Sequence, residues 1–167
     1  MKAKTVFLTT LMFVFLLVDT TWIHAQTAKS NLDQVKLMSQ WLGTWETNIG
    51  IDTVEVWECK QYGKSFLGTV SHVIKGKKAP LYISNICIDS KEGNIKGFSL
   101  TVSGDYSTMI GLWTTEKILS LNAVQNFKPE TVYEKYELFY ETAAKMTATI
   151  FSTDGTKTWE AKFIKVK

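Results

Sequence analysis

Three small groups of residues in this chain could do chemistry, and each offers a different kind. Gly63-Lys64-Ser65 is the closing tripeptide of a phosphate-binding loop. Such a loop needs another glycine five positions earlier, so that the backbone can curl round phosphate, and it must feed a helix whose N-terminus faces the anion. Glu58 stands at that position, and Phe66-Leu67-Gly68-Thr69-Val70 reads as a strand. The tripeptide is therefore expected to be a hairpin turn, with Lys64 as its solvated flank. The second group is Glu55 with His72, a carboxylate and the only histidine after residue 24. Facing an apolar interior, they could anchor a polar head group or act as acid and base. The third is Cys59 and Cys87, the only cysteines. They fall on strands with another strand between them, roughly 9–10 Å apart by strand spacing, which exceeds the reach of a disulfide. Two buried thiols are the expectation and a bridge the alternative. With one histidine left, no cluster has metal-ligand spacing, and no cofactor is expected.

The elements that would position these residues follow from charge, apolar runs and periodicity. Lys2 and Lys4 precede a nearly unbroken apolar run from Val6 to Val18, and Ile23-His24-Ala25 precedes Gln26. This is the pattern of a secretory signal cleaved after residue 25, with an apolar run too short for a stable membrane span. The expected product, residues 26–167, is a single exported domain, secreted or periplasmic, with no transmembrane segment. Losing residues 1–25 removes Lys2, Lys4 and Asp19, so the net charge falls from +3 to +2. All 19 basic residues are lysine. A near-neutral balance without a single arginine fork argues against a nucleic-acid partner. About 140 residues bury enough core to stand as a monomer without staples.

Ser30 and Asp33 resemble a capping pair, and Leu32, Val35, Met38 and Leu42, with Trp41, recur at helical spacing, so a helix is expected over 31–42. From residue 44 onward the apolar period is two. Strands are expected at 44–49, 52–59, 65–74, 80–88, 94–102, 107–115, 117–124, 131–141, 145–152 and 157–166, separated by glycine-, asparagine- and aspartate-rich turns. Ten short strands with tight turns favour consecutive antiparallel pairing, and closing the sheet removes its edges. The fold class is therefore all-β: an antiparallel up-and-down barrel with one short N-terminal helix, wide enough to contain a cavity.

Alternation sorts the strand residues by face. Glu55 and Trp57 share one face; if Trp57 points inward so does Glu55, and the reverse assignment leaves Glu55 in solvent. Phe66 and His72 share a face on the next strand. Trp159 and Phe163 alternate with Glu160 and Lys162 and should point inward. Tyr136 lies on a face with Glu134, Leu138 and Tyr140, also assigned inward, and Met109 and Trp113 are lining candidates from the strand at 107–115. Tryptophan and tyrosine join an apolar body to a polar tip, which suits an amphiphilic ligand as well as an ordinary core.

The runs Trp41-Leu42-Gly43-Thr44-Trp45, Val54-Glu55-Val56-Trp57-Glu58 and Gly63-Lys64-Ser65-Phe66-Leu67-Gly68 resemble the opening of small secreted lipocalin-like proteins of bacteria, many of which have no known function. The resemblance implies a calycin-type barrel in which Trp45, from Gly-x-Trp, points inward and seals one end. Two departures are informative. Related nitrobindin-type barrels hold haem with a histidine near the C-terminus, and none follows His72 here. Other members carry a late Asn-Pro-Glu-His-Asp-Phe-Pro segment, where this chain has Asn126-Phe127-Lys128-Pro129-Glu130.

Three functions stay open at this point. The first is a carrier or sensor of a small apolar or amphiphilic molecule, anchored by Glu55, His72 or Tyr136. The second is a protein-binding module, such as an inhibitor of an extracellular enzyme, acting through loops like the lysine-rich turn at 75–78. An enzyme using Glu55 and His72 ranks last, because no nucleophile elbow, metal cluster or paired carboxylates accompany them.

Overall fold

The computed structural model describes residues 32–167. The expected signal segment, with Ser30 and Asn31, lies outside them. Ten strands follow: β1 (Gly43–Gly50), β2 (Thr53–Tyr62), β3 (Ser65–Ile74), β4 (Lys77–Ile88), β5 (Ile95–Thr101), β6 (Tyr106–Trp113), β7 (Ile118–Val124), β8 (Glu134–Thr142), β9 (Lys145–Phe151) and β10 (Lys157–Lys165). Each pairs antiparallel with the next in sequence, and β10 returns to β1, closing an up-and-down barrel. Gly63 takes φ +59° in the two-residue turn between β2 and β3. That conformation favours glycine, and it accounts for Gly-Lys-Ser as a hairpin turn.

Several boundaries differ from expectation, β2 for instance running on to Tyr62, and three of the differences have a local reason. The helix is shorter, with α1 at Gln34–Met38 and a 3₁₀ turn at Ser39–Trp41. Asp33 is itself the N-cap, its carboxylate accepting from the Lys36 amide at 3.0 Å. Its buried face is Gln34, Met38 and Trp41, while Val35 is exposed. β4 begins before Pro80. The proline sits beside a register shift, at the end of β4 that pairs with β3 but not yet with β5, the kind of strand position where proline is tolerated. β8 starts late because Pro129–Thr131 forms a 3₁₀ turn first.

The barrel has two unlike ends. At one, α1 and its 3₁₀ turn lie over a packed core that includes Met38, Trp45, Trp113, Leu119, Tyr140, Met146 and Phe163, all nearly or wholly inaccessible. Gln34 fastens this cap: its side-chain N–H donates to the Trp113 carbonyl at 3.1 Å and its oxygen accepts from the Trp113 amide at 2.7 Å. Trp45 Nε1 donates to the Trp41 carbonyl at 3.1 Å, and Lys165 Nζ lies 4.9 Å from the Trp45 ring centroid. Gly43 takes φ +110°, and a Cβ there would meet the Lys167 carbonyl at 2.3 Å. The glycine of Gly-Thr-Trp thus lets the last residues of the chain pass against β1.

The closing seam is short. β1 and β10 share register only at Trp45–Lys165 and Glu46–Ile164. Two further backbone bonds, Thr44 N–H to Lys167 O and Val166 N–H to Thr44 O, extend it toward the capped end. β2 and β3, by contrast, stay paired from Thr53–Ile74 to Tyr62–Ser65.

Candidate functional site

Away from the helical cap the inward side chains become smaller or more polar, and they surround a cavity of about 530 Å³. This is the size of many small-molecule sites. Strand alternation places Glu55 and Trp57 of β2 inside, as it does Tyr82 of β4, Ser99 of β5, Met109 of β6, Tyr136 of β8 and Trp159 of β10. Trp41 reaches the same space from the cap.

Of the side chains expected to line a cavity, Glu55, Trp57, Met109, Tyr136 and Trp159 do so. Trp45, Phe66, Trp113 and Phe163 do not. They point inward but lie in the packed end, at 0–2 % exposure. Alternation fixes which face a residue takes and says nothing of its height along the barrel axis, which is what separates plug from lining. Phe163 nonetheless supports the cavity wall, its ring 4.3 Å from that of Trp57 between centroids. His72 stands beside the lining and reaches it through Glu55.

Glu55 is the centre of a small polar arrangement. One carboxylate oxygen accepts from Trp57 Nε1 at 2.6 Å and the other lies 3.2 Å from His72 Nε2. The pairing follows from register, since Glu55 is opposite His72 across β2 and β3. Glu55 lies on the inward face, as its place in the cavity lining shows. On β8 the Tyr136 hydroxyl donates to the Glu134 carboxylate. Burial, then that hydrogen bond, hold the Tyr136 hydroxyl far above the ordinary tyrosine range. Burial and the charge of Glu55 do the same to Tyr82. Both phenols are neutral hydrogen-bond donors near pH 7. Glu58 contributes to the cavity wall too, but its carboxylate pairs with Lys78.

Glu134, Tyr82 and Trp41 are lining residues that sequence reasoning did not single out. Glu134 shares the face of Tyr136, so the signal was present. Tyr82 alternates with Ser84, Ile86 and Ile88, and the same period would have found it. A belt of Ser84, Ser99 and Ser107, which are register partners across β4, β5 and β6, carried no signal, because serine suits either face. Ser84 and Ser99 are buried.

The lining supplies neutral donors and carboxylate acceptors. Among the described residues, no three His, Cys, Asp or Glu side chains are grouped so as to hold a metal ion. None of their helices is long and apolar enough to cross a membrane. No family model matches the chain, and no curated protein matches it.

The cysteines are both free, in line with the strand-spacing argument, but only Cys59 is buried; Cys87 is exposed on the outer face of β4. Burial pushes the Cys59 thiol up to about 12, partly offset by Lys165. A thiol-alkylating reagent near pH 8 should therefore label Cys87 alone in the folded protein, and both cysteines after unfolding. Peptide mass spectrometry reads this directly, and labelling of Cys59 in the native state would show that reagents enter the cavity, whose wall Cys59 joins.

Proposed function

We propose that this protein is an exported, lipocalin-like carrier or sensor that holds a small apolar or amphiphilic molecule in its barrel. One observation carries the reading. The barrel is filled at the helical end but keeps a cavity of about 530 Å³ beyond it, with aromatic walls and a few converging polar groups at Glu55, Tyr82, Glu134 and Tyr136. Apolar walls with few oriented polar groups are how small-molecule sites combine affinity with orientation. The Glu55–His72 pair favours an enzyme only weakly, since among the described residues His72 hydrogen-bonds Glu55 and no hydroxyl or thiol nucleophile.

Native mass spectrometry of the protein, purified from a host that exports it, tests the proposal. The expected result is a co-purifying small molecule at near-equal stoichiometry, identified after extraction. An empty barrel that also fails to take up apolar fluorescent probes would end the carrier reading and turn attention to protein partners.

A further inference from the structure

The carrier reading leaves open the chemistry of the ligand, and the charges on the cavity wall bear on it. Three carboxylates, Glu55, Glu58 and Glu134, contribute to the lining, and no lysine does. The chain has no arginine. Glu58 is matched by Lys78. Glu55 and Glu134 are not matched in that way. Glu55, its side chain 14 % exposed, faces one indole N–H and the His72 imidazole, and Glu134 faces the Tyr136 hydroxyl. Each carboxylate has room for about four hydrogen bonds, so both retain acceptor capacity toward the cavity.

A carboxylate withdrawn from water costs free energy unless a cation faces it. Aromatic rings stand next to both carboxylates: Trp57 is bonded to Glu55, and Tyr136 to Glu134. Trp159 and Tyr82 complete the wall. Ring faces attract cations, and that attraction grows as water is excluded.

We infer that the ligand is a protonated organic amine with an apolar body, its ammonium group held by a wall carboxylate, Glu55 or Glu134, and its body lying against Trp57 and Trp159. The inference rests on the carrier reading and sharpens it. Fatty acids, which are carboxylates themselves, are disfavoured by the same wall.

Binding of dodecylamine, dodecanol and dodecanoate, measured near pH 7 by tryptophan fluorescence below their aggregation limits, separates the two claims. Dodecylamine should bind at least about tenfold tighter than dodecanol, as a charge-assisted contact implies, with dodecanoate weakest. In the Glu55→Gln/Glu134→Gln variant the amine and the alcohol should bind within about twofold of each other. Dodecanoate binding as tightly as dodecylamine, or an amine preference surviving in that variant, overturns the inference while the carrier reading stands. Failure of all three to bind removes the carrier reading and the inference with it. Should the double variant not fold, the order of the three ligands on the native protein decides.

Discussion

Trp45→Ala is expected to destabilise the protein by about 3–5 kcal/mol, the cost of a large buried aromatic lost together with the cavity left behind. Trp45 is wholly buried, its indole N–H is bonded to the Trp41 carbonyl, and its ring meets Tyr140 edge-on at 5.8 Å. Truncation therefore removes core volume, a hydrogen bond between barrel and cap, and the aromatic surface under Lys165 together. Few domains hold more than about 5–15 kcal/mol in total, so the variant should populate unfolded chains under mild conditions. Urea unfolding followed by circular dichroism measures the effect, with Tyr62→Ala as a control because Tyr62 is 74 % exposed. A loss below about 1 kcal/mol for Trp45→Ala would mean that the helical end is not where the barrel draws its stability.

The second large effect falls on uptake rather than folding. Trp57 and Trp159 each line the cavity and each approach Phe163, at 4.3 and 6.5 Å between ring centroids. Both are half-buried, so trimming them costs less core than trimming Trp45. A buried aromatic anchor in a binding site is worth roughly 2 kcal/mol or more, and two together about a thousandfold in affinity. Trp57→Ala/Trp159→Ala should thus lose nearly all measurable binding of an apolar probe while retaining a cooperative unfolding transition. Retained uptake by the folded double variant would move the binding site elsewhere.

Much of the architecture was legible because a barrel repeats one rule ten times. The apolar period of two marks each strand, glycine and asparagine mark the turns, and the alternation of Trp159, Ala161 and Phe163 with Glu160 and Lys162 reports the inward face of β10 directly. The misses come from interactions that strand pattern does not encode. Gln34 is polar and reads as surface, yet it is buried because both ends of its amide bind the backbone of Trp113, far away in sequence. Val35 reads as core and is exposed, because the helix turns its Gln34–Met38–Trp41 face to the barrel. Whether an inward aromatic plugs the barrel or lines a cavity depends on where the helix sits, a tertiary fact. That is why Trp113 and Trp159 looked equivalent as sequence and are not equivalent in space. Glu55 and His72 were legible as neighbours only through register, which the turn at Gly63 sets.

The short seam between β1 and β10 changes how the cylinder as a whole can behave. Away from Glu46 and Ile164 the two strands no longer pair, and a groove runs between Thr47–Ile49 and Trp159–Lys162. Trp159 belongs to both the groove and the cavity wall. A fully laced barrel is a stiff hoop, because widening it breaks main-chain bonds along a whole strand. This one is a hoop with a slit: near Trp159 its girth can change by parting two strands that no register pair joins. The stitches that do exist join the first strand to the last, so among the described residues they demand the longest loop closure and add the fewest bonds in return. The seam is therefore the side of the barrel with the least main-chain bonding to resist widening, and it lies next to the ring that bridges cavity and slit.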